Sequence, residues 1–428
     1  MNAPEFTVET FQNEFLPAGG REVNAVITAT SADALGRPAD AAEGAAEIII
    51  IDRSGSMAGS KIIEARRAAA AAVDVIRDGV AFAILAGTTK ATPVYPDDGS
   101  LAIAANSTRA AAQQAISSVK RGGGTAIGSW LRLAHEIFST RPAALRHAIL
   151  LTDGLNGERP KQFAQAIQLC EGVFSCDCRG VGTDWSVSEL RKISTALLGT
   201  VGIVAEPDGL AADFEAIMQA AMGKEVADVM LRVRVPQTAR VRFVRQTAPA
   251  IEDLTGRRAE AGPQAGDYPT GAWGGQESRD YHICVEVEPA AVGQEMQAAR
   301  VSLVLHAPSG PEVLGQGMIK AIWTDNEEWS TRIDPRVAKV TGQTELADAI
   351  QDGLAARRDG DLETATAKLG RAVQLAHASG EEETAQLLAR VVDVVDPVTG
   401  TIQLKSKVRD VDEMTLDVES TKTVRVRR

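Results

Sequence analysis

The chain has 428 residues, enough for two to three domains at roughly 100–200 residues each. Its 45 Lys and Arg against 57 Asp and Glu leave a net charge of −12, which argues against general affinity for nucleic acid or anionic lipid and points to proteins or small ligands as partners. No run approaches the roughly 18 apolar residues that span a bilayer, the amino-terminal stretch lacks the basic start and apolar middle of a secretion signal, and four cysteines are too few for a secreted disulfide framework, so a cytoplasmic protein is expected.

Residues 1–45 hold two β-like stretches, FTVETF (6–11) and EVNAVITATS (22–31), expected to pair with a β module later in the chain. From 46 to 224 short apolar runs alternate with helical segments, the pattern of a doubly wound, mostly parallel α/β sheet covered by helices. AEIIIID (46–52) is apolar without alternation, as a strand buried on both faces must be, and GSKIIEARRAAAAAVDVIRDG (59–79) is a strong helix former stopped by Gly79. VAFAILAG (80–87) and ATPVYP (91–96) read as strands about a turn, and residues 108–120 and 126–139 as helices on either side of a glycine run. RHAILLTDG (146–154) is the next buried strand. Helices at 161–173, 186–199 and 208–223, with strands at 174–182 and 200–207, complete the alternation.

After Lys224 the pattern changes to period-two runs such as VADVMLRVRVP and DYHICVEVEP between Gly- and Pro-rich turns, an antiparallel, sandwich-like β module over 225–330. With β-like segments on both sides, the α/β domain reads as an insertion into that module. Within it, DYPTGAWGG (267–275) is a glycine-rich loop whose Tyr268 and Trp273 are either anchors or a recognition surface. Residues 331–396 read as a helical hairpin region, built from TELADAIQDGLAARRDG, DLETATAKLGRAVQLAHASG and EEETAQLLARVVDVVD. One such pair resembles a tetratricopeptide unit, but no second copy is visible and an array needs about three. Residues 397–428 carry a turn (Pro397 to Gly400), a β-like IQLKSKV and a basic end, TKTVRVRR, and read most simply as a solvated tail, with a contact segment as the alternative.

The chemistry concentrates in IIIIDRSGSM. Asp52 ends a central strand, and Ser54 and Ser56 follow in the loop to the next helix, where open α/β sheets bind ligands. The spacing D-x-S-x-S lets three oxygen-bearing side chains turn toward one point, a set suited to a hard ion with octahedral oxygen ligands, Mg²⁺ or alternatively Mn²⁺. Thr125 closes the glycine run RGGGT, and Asp153 ends the strand HAILLTD before Gly154. Asp and Ser also cap helices without any metal, so each position alone has a structural reading; the weight lies in the set.

Together these residues resemble the von Willebrand factor type A family over residues 46–224, whose metal-ion-dependent adhesion site is D-x-S-x-S with a distant Thr and a distant Asp. The resemblance implies that Ser54, Ser56 and Thr125 ligate the ion while Asp52 and Asp153 act largely through water. It also implies that an Asp or Glu of a partner protein completes the coordination, a binding function without turnover. The alternative is a metal-dependent enzyme or a chelatase-like accessory subunit. An aspartyl phosphatase would place a second carboxylate where Ser54 stands, which counts against phosphoryl transfer. RGGGT lacks the Lys of a P-loop, and His135, His147, His282, His306 and His377 show no metal or triad spacing. Cys170, Cys176 and Cys178 lack a fourth zinc ligand nearby and read as buried thiols.

Overall fold

The computed structural model describes residues 5–32, 44–307 and 310–423. Two compact units emerge, one from residues 1–36 and 228–428 and the other from residues 37–227.

The first unit begins with strands β1 (Phe6–Gln12), β2 (Phe15–Pro17) and β3 (Glu22–Ser31). β3 lies between β1 and the strand Ser278–Val287, antiparallel to both, in a five-stranded sheet completed by Ala239–Ala248 and Glu252–Asp253. A six-stranded sheet runs in the order Ala259–Glu260, Ala265–Pro269, Val229–Arg234, Glu295–Ala307, Gly310–Thr324 and β2. β1 passes close over this second sheet, where a Cβ on Gly315 or Gly317 would meet Val8 and Thr10. The chain thus leaves this unit after β3 and returns to it at residue 228, and the other unit lies between.

One open reading of this unit is decided and two expectations are corrected. Of the two readings of 267–275 the structure supports the anchors: Tyr268 and Trp273 are buried, and Trp273 packs edge-on to Phe6 at 5.2 Å with the Arg279 guanidinium 4.1 Å over its ring. Within the 331–396 region the first helix starts ahead of TELADAIQ, as Pro335–Arg358, because Asp334 caps it through the Arg336 and Val337 amides and proline suits the first turn. Its third helix, Glu382–Val391, stops before the end of VVDVVD. The β-branched run instead forms the strand Val392–Asp396, paired with Thr401–Leu404. The expected solvated tail carries this strand and a helix, Asp410–Glu419, whose Leu416 and Val418 are buried; residues 424–428 lie outside the described part.

The second unit reads β4 (Ala45–Asp52), α1 (Ser60–Val75), β5 (Ala81–Gly87), β6 (Ala91–Tyr95), β7 (Ala102–Ile103), α2 (Asn106–Ser117), α3 (Ile127–Ser139), β8 (Leu145–Thr152), α4 (Pro160–Cys170), β9 (Ser175–Val181), α5 (Val187–Ala196), β10 (Val201–Val204) and α6 (Leu210–Met222). The sheet order is β10, β9, β8, β4, β5, β6, parallel except for β6, which runs antiparallel to β5, as does the short β7. Every residue of β4 is buried. Ile49 and Ile51 pack with Ala65, Ala68, Ala69 and Ala72 of α1 and with Leu210, Phe214 and Met218 of α6. The alanine face lets α1 lie close on the sheet. From β4 the chain crosses through α1 to β5 on one side, while β8 lies on the other, so the carboxyl ends of β4 and β8 form the switch point of the sheet. Among the described residues no helix is long and apolar enough to cross a membrane.

Candidate metal centre

Three loops meet at that switch point. The loop after β4 carries Asp52, Ser54 and Ser56; the segment before α3 carries Thr125; the loop after β8 carries Asp153. Backbone hydrogen bonds tie them together. Gly55 N donates to Gly123 O at 2.8 Å and Gly122 N to Arg53 O at 2.7 Å, which joins the first loop to the second. Gly157 N donates to Thr125 O at 2.8 Å, which joins the second to the third. Gly123 has φ +94°, and a Cβ there would meet Thr88, so glycine is required for the close approach. Trp130 fixes α3 from behind: its indole covers Gly87 and its Nε1 donates to Thr88 O at 2.6 Å.

The five side chains predicted from the sequence come together here. Ser54 Oγ and Ser56 Oγ are 2.9 Å apart, and Ser56 Oγ donates to Asp153 Oδ1 at 2.6 Å. A Cβ built on Gly154 would lie 3.1 Å from Ser56 Oγ, 3.1 Å from Thr125 Oγ1 and 3.9 Å from Ser54 Oγ. The three hydroxyls therefore converge on one volume that a side chain at position 154 would enter. Ser56 is exposed and Thr125 partly so, while the Asp52 and Asp153 carboxylates are fully buried behind them.

Both oxygens of Asp52 are engaged: Ser54 N donates to Oδ1 at 2.7 Å and Thr152 Oγ1 donates to Oδ2 at 2.6 Å. Burial nonetheless pushes the Asp52 pKa up, and the neighbouring charge of Asp153 adds to this against the hydrogen bonds. Asp153 Oδ2 accepts from Lys61 Nζ at 2.7 Å, and Lys61 Nζ also lies 3.5 Å from Asp184. Partial burial works against the Lys61 charge, but the hydrogen bond and the charges of Asp153 and Asp184 outweigh it and hold its pKa above the usual lysine value. Sequence reasoning missed Thr152 and Lys61. Thr152 stands next to Asp153 in sequence and Lys61 lies five residues past Ser56, in the first turn of α1, but only the folded sheet aims them at the site.

The donor chemistry fits a hard divalent cation. Octahedral bonds of about 2.1 Å place neighbouring oxygens about 3.0 Å apart, which matches the separation of Ser54 Oγ and Ser56 Oγ. Among the described residues no cluster of three or more His, Cys, Asp or Glu side chains could hold an ion, so a metal site here rests on hydroxyls with two carboxylates behind.

A family model described as the von Willebrand factor type A domain matches residues 46–203, spanning all five positions, and one described as the von Willebrand factor type A C-terminal domain matches residues 374–420. A von Willebrand factor type A protein from Catenulispora acidiphila, a solved structure, superposes with a TM-score of 0.93 at 51% identity, over 99% of this chain and 98% of that one. The chain belongs to the von Willebrand factor type A family. The ArnB paralog VWA2 from Sulfolobus acidocaldarius shares the fold over 99% of this chain and 100% of that one, with a TM-score of 0.61 at 14% identity. An uncharacterized protein of Synechocystis sp. is 26% identical over 214 residues, 48% of this chain and 49% of that protein, so the chain spans about half the length of the curated relative it matches.

The same von Willebrand factor type A sheet holds a second ionic cluster that the sequence did not disclose. His147 on β8 sits between Glu47 on β4, 2.7 Å from Nδ1, and Asp177 on β9, 3.0 Å from Nε2. Burial opposes the His147 charge, but the two carboxylates outweigh it and lift its pKa to about 10. Asp177 falls well below the usual carboxylate range despite its burial, held there by His147, Arg179 and Thr200. Burial pushes Glu47 up against the pull of His147. All four cysteines are free and buried, with Cys176 and Cys178 Sγ 4.0 Å apart.

Proposed function

We propose that this protein is a metal-dependent protein-interaction module in which Ser54, Ser56 and Thr125, backed by Asp52 and Asp153, hold Mg²⁺ for capture of an Asp or Glu carboxylate from a partner protein. The observation that carries this reading is the convergence of three hydroxyls on the volume beside Gly154, open to solvent through Ser56. Bound there, Mg²⁺ supplies a Lewis-acidic position that an external carboxylate can fill. Asp52 and Asp153 orient the hydroxyls, and because Lys61 is ion-paired with Asp153 the two carboxylates leave the ion under-neutralised.

The surroundings support an anionic partner. Arg53, Lys90, Lys120 and Arg121 stand on the loops beside the site, in a chain whose net charge is −12. The Arg53 guanidinium donates to Lys120 O and that of Arg121 to Gly55 O, and among the described residues neither is ion-paired. Binding without turnover is supported by the lack of a second carboxylate at Ser54 and by the placement of His147 near the amino end of β8, away from the site at its carboxyl end, where the Glu47–Asp177 pair holds it. Four reduced, buried cysteines suit a reducing cytoplasm.

The test is calorimetric titration of Mg²⁺ followed by capture of acidic peptides. Heat of Mg²⁺ binding that disappears in Asp52→Ala, and peptide binding that disappears with EDTA and when Glu is replaced by Gln in the peptide, are the expected results. Peptide binding unchanged in EDTA, or hydrolysis of phosphoester or ester substrates that depends on Asp52, would sink the reading.

A further inference from the structure

The metal centre contains a cation of its own. Lys61, the second residue of α1, reaches Asp153 Oδ2 at 2.7 Å, and its side chain is 23% exposed while that of Asp153 is 0% exposed. Its stem passes over Gly182, just beyond β9, where a Cβ would lie 3.6 Å from both Cε and Nζ. Asp153 divides its two oxygens: Oδ1 accepts from Ser56 on the hydroxyl side and Oδ2 from Lys61 on the other. The lysine and an ion held by the hydroxyls therefore need not compete for the same oxygen.

The charges then follow by addition. Asp52 and Asp153 bring two negative charges and Lys61 one positive, so these three groups carry −1; Asp184, 3.5 Å beyond Lys61 with its side chain 73% exposed, is screened by solvent and is left out of the sum. A divalent ion takes it to +1, and one carboxylate from a partner takes it to zero. Without Lys61 the two aspartates would neutralise the ion by themselves and leave no surplus charge to draw the partner in. We infer that Lys61 sets the charge balance of this site, weakening the hold on the metal and strengthening the hold of the bound metal on a partner's carboxylate. This rests on the carboxylate-capture reading above and assigns to Lys61 a selectivity role: it favours a ligand with a single negative charge over a neutral one such as water or an amide.

The consequence is a pair of effects with opposite signs, which a merely structural lysine would not produce. Lys61→Met keeps the aliphatic stem over Gly182 and removes the charge. Calorimetric titration of the full chain with MgCl₂ should show binding roughly tenfold tighter than in the wild type, as expected for deletion of one nearby like charge in a screened, partly exposed site. The rise in melting temperature on adding Mg²⁺ should be larger as well. At saturating Mg²⁺, a blocked peptide with one Glu among glycines should bind roughly tenfold more weakly by the same reasoning. Lys61→Gln, which retains a neutral donor, should follow Met, and Lys61→Arg, which retains the charge, should stay near wild type; agreement between Met and Gln separates charge from packing. Mg²⁺ affinity that is unchanged or lower in both neutral variants overturns the inference. If instead the wild type binds Mg²⁺ but no Glu peptide, the carboxylate-capture reading fails, and this is distinguishable because the Mg²⁺ titrations still report on Lys61 by themselves.

Discussion

The strand β4 carries a buried ionic cluster near each end, and the two clusters use similar residues for different ends. Near its amino end Glu47 meets His147, which meets Asp177, which accepts from Thr200 N at 2.6 Å, and Arg77 and Arg179 add positive charge nearby. These contacts join β4, β8 and β9 and leave the ring nitrogens of His147 with no capacity for another ligand. At the carboxyl end Asp52 and Asp153 are just as buried, but the groups in front of them are hydroxyls that converge on a solvent-accessible volume. Buried carboxylates become a strut when charged donors saturate them and a receptor when hydroxyls relay them to the surface.

Substitutions can break or sharpen this contrast. His147→Ala, which strands two buried carboxylates, should destabilise the protein by about 3–5 kcal/mol in urea unfolding, while the Mg²⁺ affinity of the folded fraction stays within about twofold. A parallel loss of metal affinity would show that the two ends are not independent. Thr152→Val removes the hydroxyl that holds Asp52 Oδ2 and should lower Mg²⁺ affinity about 10- to 100-fold in calorimetry, with the urea midpoint moved far less than by His147→Ala.

The strut should also fail in one direction of pH. The folded-state pKa of His147 is about 10, above the value near 6.5 of an unfolded histidine, so its stabilisation is complete below pH 6.5 and is lost as pH rises through about 10. Melting temperatures between pH 7 and 11 should fall more steeply for the wild type than for His147→Gln; equal slopes would remove the charge from the account. The smallest effect is expected from Gly154→Ala, where the Cβ would sit 3.1 Å from the hydroxyls of Ser56 and Thr125. Crowding of about 1 kcal/mol should weaken Mg²⁺ roughly fivefold without changing the melting temperature measured in EDTA.

Sequence periodicity located most elements of the α/β unit to within a few residues, because a parallel strand buried on both faces has to be a continuous apolar run, as Ile48–Ile51 is. It was less informative in the carboxyl-terminal third. There VVDVVD carries residues acceptable to a helix until β-branching and pairing with Thr401–Leu404 decide for a strand, and DVDEMTLDVE, rich in acids, reads as solvated until Arg358 and Arg409 pair with Asp417 and Asp412. The helix at 335 had a legible start in Asp334 and Pro335 that the apolar pattern overshadowed.

What the sequence determined by itself was the set Asp52, Ser54, Ser56, Thr125 and Asp153, together with its place at the carboxyl ends of two central strands, since residue type, spacing and strand pattern are all written locally. Only the tertiary structure decided which groups balance that set. Lys61 and Thr152 reach Asp153 and Asp52 across 92 and 100 residues, and Glu47 finds His147 across another 100. Pairings of that kind follow from which strands are neighbours in the sheet, and strand order is a property of the packed chain that no local pattern encodes.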